Sequence, residues 1–178
     1  VWAPDINRIG DRYVMYYSMS RWGGEWTCGI GIAVADRPEG PFDDLGMLFR
    51  SNEIGVQNSI DPFYIEDDGH KYLFWGSFRG IHAVELTDDG LAVAQGAQPQ
   101  RIAGTAYEGT YIHKHGGYYY LFASTGSCCE GMKSSYIGIV NHLFTRFFLI
   151  DIQVYNRFGS LGGLQPLRLV VRRVQRTG

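Results

Sequence analysis

Three times the chain spells one nine-residue pattern: GDRYVMYYS (Gly10 to Ser18), GHKYLFWGS (Gly69 to Ser77) and GGYYYLFAS (Gly116 to Ser124). Each copy has Gly first, Tyr fourth, an aromatic residue seventh and Ser ninth, and the Gly-to-Gly separations are 59 and 47 residues. An extended run precedes each copy: PDINRI, DPFYIED and EGTYIHK. The polar, Gly-containing stretch between run and copy is a hairpin-turn signal, so each copy reads as the second strand of a hairpin. A strand-built repeat of about 50 residues predicts a β-propeller rather than a helical solenoid. Helical periodicity is weak throughout. ADRPEGPF (Ala35 to Phe42) and LTDDGL (Leu86 to Leu91) read as connections between outer strands.

The composition agrees. The 24 glycines and 15% aromatic residues suit an all-β chain with many turns, and 45% hydrophobic content is enough for a packed core in 178 residues. The net charge of −2 gives no basis for nucleic-acid binding, and no run of 18 apolar residues suggests a membrane span. Three cysteines, Cys28, Cys128 and Cys129, make no disulfide framework and no spaced zinc-ligand set, so they are expected to be small structural side chains. Localisation is not readable from a chain that begins with Val.

Three acids hold related places in the repeat. Asp61 and Glu108 each lie eight residues before the Gly of their copy, and Asp5 lies five before its own. In a propeller the innermost strands line a central channel, so acids at one end of successive inner strands converge on one mouth. Carboxylates gathered there couple and their pKa values separate. Asp61 and Asp5, beside Pro, could instead be turn residues at strand starts. Glu108, in the Gly-flanked YEGTY, fits a turn poorly and suits a general acid.

The motifs WAPDI (Trp2 to Ile6), NSIDPFYIEDDGHKYLFWGSFRGI (Asn58 to Ile81), YEGTYIHKHGGYYYLFASTGSCCEG (Tyr107 to Gly131) and the following SSY resemble, in order and spacing, glycoside hydrolase family 43, nearest to its arabinan endo-1,5-α-L-arabinosidases. The resemblance covers about residues 1–136. It implies about three blades of a five-bladed propeller over residues 1–140, and an inverting hydrolase of arabinose-containing plant cell-wall polysaccharide. It implies Glu108 as general acid and Asp61 as the residue that orients it and raises its pKa by like-charge repulsion, itself staying ionised. The family's base lies before the WAP motif and has no match here, and Asp5 is not that base, so a catalytically incomplete piece is expected. Trp2 resembles the tryptophan lining the sugar site, with a core Trp as the alternative. Trp2, Asp5, Asn58, Ser59 and Ser77 are the candidate substrate-binding residues; Ser77 also reads as a plain strand-end residue.

No organic cofactor is implied, although a channel calcium or sodium ion could belong to the full-length protein. His113 and His115 share one face of a strand, a spacing open to metal ligation but more in keeping with an exposed hairpin face. Other readings are a β-xylosidase or α-L-arabinofuranosidase of the same family, or a non-catalytic carbohydrate-binding propeller. Oligomeric state is not indicated.

The tail differs from what precedes it. Residues 1–136 carry a formal charge of −7, and residues 137–178 carry +5 with six Arg, no Lys and only Asp151. Beyond Asn141 the resemblance ends. LFTRFFLIDIQVY is apolar and β-prone, the kind of segment that aggregates when exposed. An altered reading frame, a divergent strand pair or a basic membrane-surface segment could each account for residues 141–178.

Overall fold

The structure, a computed structural model, describes residues 1–115, 118–126 and 135–142. The sequence expectations for Cys128–Cys129 and for the tail beyond His142 lie outside these residues.

Among the described residues, three antiparallel sheets follow one another. The first contains β1 (Trp2–Ile9), β2 (Arg12–Met19), β3 (Gly29–Ala35) and β4 (Asp43–Arg50), paired in that order. The second contains β5 (Phe63–Asp67), β6 (His70–Trp75), β7 (Ile81–Glu85) and β8 (Gln100–Ala103), again in chain order. The third pairs β9 (Tyr107–His115), β10 (Tyr118–Gly126) and β11 (Ser135–His142). A single helical turn, α1 (Ser51–Ile54), carries the chain from the first sheet toward the second. The meander order and the contacts of β1 with β5, and of β5 with β9, make these sheets successive blades of a β-propeller.

The hairpins form where the polar-Gly signals placed them. Ile9 pairs with Arg12 and Asp67 with His70, so these two loops are two residues long, and in the third sheet His115 pairs with Tyr118. In the second hairpin both loop residues, Asp68 and Gly69, have positive φ (50° and 80°). That is the primed turn whose twist matches paired strands, and Asp-Gly tolerates it best. The aligned stretches Tyr13–Tyr17, Tyr72–Trp75 and Tyr119–Phe122 all fall in the second strand of their sheets, β2, β6 and β10.

Side-chain alternation explains the continuous apolar run in β6. Leu73 and Trp75 face one way, into a core with Tyr16, Ile30, Phe49 and Val84. Phe74 faces the other way, into a core with Ile81, Ile102, Ile112 and Leu121. The middle sheet is thus covered on both faces, which removes the polar half of the usual alternation. Trp75 is fully buried, with its ring centroid 4.9 Å from that of Phe49. Burying such a side chain is worth roughly 1.5–3 kcal/mol. Gly76 ends the strand with φ 136°, and a Cβ there would overlap the Gly80 carbonyl, so only glycine lets the chain leave β6 at this point.

Candidate active site

Asp61 is built on a costly backbone. It and Asn58 both adopt left-handed conformations (φ 58° and 57°), uncommon for residues with a side chain. Such a conformation persists only where its surroundings over-determine it. Here the Asn58 N–H donates to the Glu25 carbonyl at 2.8 Å, and the Ser59 N–H donates to Ser51 Oγ at 2.9 Å. The Asp61 N–H donates to Ser18 Oγ at 2.8 Å, and the Gly76 N–H closes the loop onto the Ile60 carbonyl at 2.9 Å. The side chain is left aimed at β9, where the Gly109 N–H faces its carboxyl.

Glu108 is the second residue of β9. Gly109 (φ 61°) sits at the register shift of β9 against β10, where Thr110 pairs with Ala123 and Glu108 with Ser124. This bulge re-aims the strand end, a common device beside active sites. Ser77 bridges to Glu108 and donates its hydroxyl to Glu108 Oε2 at 3.1 Å, while the Phe78 N–H donates to the Tyr107 carbonyl at 2.8 Å.

Asp5, Asp61 and Glu108 line one cleft of about 570 Å3, whose wall also includes Phe63, Tyr111 and Ser124. Burial raises the Asp61 pKa to about 6; the Glu108 charge adds to the rise and the Gly109 hydrogen bond opposes it. That lies above the ordinary carboxylate range, yet it leaves Asp61 mostly ionised at neutral pH.

The other expected residues separate by position. Asp5 Oδ2 accepts the Tyr64 N–H at 2.6 Å and Asn7 Nδ2 at 2.9 Å, so Asp5 braces β1 against β5. Its pKa is raised, by burial first. Ser59 does not reach the cleft: it is fully buried, donating to the Val56 carbonyl and accepting Trp75 Nε1. Asn58 lies behind the wall, donating its amide to the Ser77 carbonyl at 2.8 Å. Trp2 stands beside the cleft rather than in its wall. A β-bulge between Trp2 and Asp5, with Ala3 at φ 43°, puts Ala3 and Pro4 in the lining, and the Trp2 ring meets Trp22 edge-on at 6.4 Å.

Sequence reasoning missed Tyr111 and Ser18. Tyr111 is 55% exposed and packs edge-on against Phe63 at 5.2 Å, forming an aromatic cleft wall. An aromatic residue on the outward face of a strand, three residues after Glu108, was the available signal. The rings of His113 and His115 stack on one another at 6.2 Å. Among the described residues no group of three or more His, Cys, Asp or Glu could hold a metal ion.

The family model for glycosyl hydrolases family 43 matches residues 1–142. A probable arabinan endo-1,5-α-L-arabinosidase A from Aspergillus flavus is 37% identical over 135 residues, covering 72% of this chain and 41% of that protein. An extracellular endo-α-(1→5)-L-arabinanase 1 from Bacillus subtilis is 35% identical over 143 residues, covering 76% of this chain and 43% of that protein. The chain therefore spans less than half the length of these curated relatives. Among solved structures, a Cellvibrio cellulosa α-L-arabinanase complexed with arabinohexaose aligns with TM-score 0.66 at 31% identity, over 78% of this chain and 50% of that one. An exo-1,5-α-L-arabinanase from a bovine ruminal metagenomic library aligns with TM-score 0.67 at 36% identity, over 79% of this chain and 51% of that one. With the blades of its described residues and the carboxyls that line one cleft, the chain belongs to glycosyl hydrolases family 43.

Proposed function

We infer that the chain carries the acid side of an inverting glycoside hydrolase site for α-1,5-linked arabinan. The observation that carries this reading is the carboxyl pair: Asp61 and Glu108 line one cleft, and the Glu108 charge acts on Asp61. Glu108 is assigned the proton donation to the leaving glycosidic oxygen, and Asp61 is assigned its orientation and charge coupling. Burial raises the Asp61 carboxyl pKa to about 6 and the Glu108 charge adds to the rise, the charge coupling that these assigned roles call for. An inverting reaction also needs a base that activates water on the opposite sugar face. Asp5 is already engaged by Tyr64 and Asn7, so this reading assigns it to bracing and leaves the base outside these residues. On its own the chain is expected to bind arabinan without turning it over.

Arabinan is favoured over xylan side chains because the arabinanases reach 36% and 37% identity. A Clostridium thermocellum α-L-arabinofuranosidase reaches 27%. Calorimetric titration with linear α-1,5-arabino-oligosaccharides and with xylo-oligosaccharides decides the matter. At least roughly tenfold tighter binding of the arabinose series supports the reading, since each factor of ten is about 1.4 kcal/mol. Equal or reversed affinities overturn it. Product analysis on debranched arabinan tests the expected lack of turnover.

A further inference from the structure

The ninth residue of the repeat holds an acid of the next sheet twice, across two different seams and by two different bonds. Ser18, ninth in the first copy, accepts the Asp61 N–H at 2.8 Å. Ser77, ninth in the second copy, donates to Glu108 Oε2 at 3.1 Å. In each case the serine stands at or just past the end of a sheet's second strand. The group it holds belongs to the acid at the entry of the next sheet, 43 residues on for Ser18 and 31 for Ser77. Both serines are buried, at 0% and 3% exposure. Ser77 is held in turn by the Asn58 amide on its carbonyl. Ser124, ninth in the third copy, lies in the cleft wall.

We propose that the ninth-position serines are positioning residues, each fixing the acid that the following sheet brings to the cleft: Ser18 fixes Asp61 and Ser77 fixes Glu108. A serine suits both tasks because its hydroxyl is donor and acceptor at once. At the first seam the oxygen accepts a backbone N–H and stabilises a left-handed residue. At the second the hydrogen is donated to the Glu108 carboxyl. Alanine at position 18 would leave the part-buried Asp61 N–H unpaired, and alanine at position 77 would remove the Ser77 hydroxyl's hold on Glu108. Neither serine is placed to touch substrate; each acts through its acid. The assignment rests on Asp61 and Glu108 being the working pair of the proposed function.

The test follows the Asp61 carboxyl by 13C NMR as the pH is raised, in the ligand-free chain. The groups that face it across the cleft are Glu108 on β9 and Asp5 on β1. In the unaltered chain the midpoint is expected at about 6. Ser18→Ala and Ser77→Ala should each lower it, the first by letting Asp61 leave its buried pose and the second by letting the Glu108 charge move away. Ser77→Thr, which keeps the hydroxyl, should retain the original midpoint. Amide exchange in the unaltered chain gives a second measurement that needs no variant. The Asp61 N–H, although in a loop, should exchange at least about tenfold more slowly than an unpaired loop amide. Midpoints unmoved in both alanine variants, or an Asp61 amide exchanging like a free loop, would overturn the proposal. An unaltered chain that titrates in the ordinary carboxylate range would overturn the carboxyl-pair reading instead.

Discussion

Strand β6 and the loop Asn58–Pro62 touch each other and are held by opposite means. In β6, Leu73, Phe74 and Trp75 are buried in ordinary extended backbone and stabilised by apolar packing on both faces. The loop holds two left-handed non-glycine residues, and polar contacts from Ser18, Glu25, Ser51 and Gly76 fix it. Trp75 joins the two, with its ring in the core and its Nε1 donating to Ser59 Oγ at 3.0 Å. The difference shows where stability and function reside. The strand gains from folding, whereas the loop costs energy and keeps its shape because the strand and its neighbours supply hydrogen bonds at fixed points.

The largest break in this comparison should come from the strand. Trp75→Ala removes the fully buried ring shared by two sheets and the donor to Ser59. A loss of about 3–5 kcal/mol in denaturant unfolding is expected. A loss under about 1 kcal/mol would mean that the core does not rest on this residue.

The loop should respond in the opposite direction. Asp61 ionises near pH 6 in the folded chain against 3.8 as its ordinary value, so folding is penalised as the pH rises from about 4 through 6. Asp61→Asn abolishes that penalty. It should stabilise the chain by on the order of 2 kcal/mol above pH 6 and leave stability unchanged below about pH 4. Thermal melts at pH 3.5 and 7.5 check the sign. Destabilisation at pH 7.5 would place the ionised carboxylate among the loop's supports.

The smallest effect is expected at the surface tie of the same region. Arg79 donates Nε and Nη2 to the two oxygens of Glu25 at 2.9 and 2.8 Å, but both side chains are substantially exposed. Arg79→Ala should cost about 1 kcal/mol or less, and less still in high salt. A cost above about 2 kcal/mol would shift the loop's support from buried serines to surface charge.

Much of the fold was legible because strand period and turn chemistry are local. The three hairpins, their second strands and the inward gathering of acids follow from Gly, Tyr, aromatic and Ser at fixed offsets. Local pattern did not reach the phase of the turns, which lie at Gly10-Asp11 and Asp68-Gly69, one residue apart in the repeat's own count. It did not reach the left-handed backbone at Asp61, because that conformation is imposed by Ser18, 43 residues away. The same distance hid the burial that raises the Asp61 pKa. Trp2 was placed by its motif, but a bulge that no motif announces turned its ring toward Trp22.

The account depends most on the coupling of two carboxyls in one cleft, and one measurement reaches it directly. The Asp61 carboxyl is titrated by 13C NMR in the unaltered chain and in Glu108→Gln, which removes the neighbouring charge and preserves shape. The expected midpoint is about 6 in the unaltered chain. In Glu108→Gln it should fall while staying above the ordinary range, because burial remains. Identical midpoints in the two proteins would contradict the coupling and leave Asp61 a buried loop residue with no part in acid catalysis.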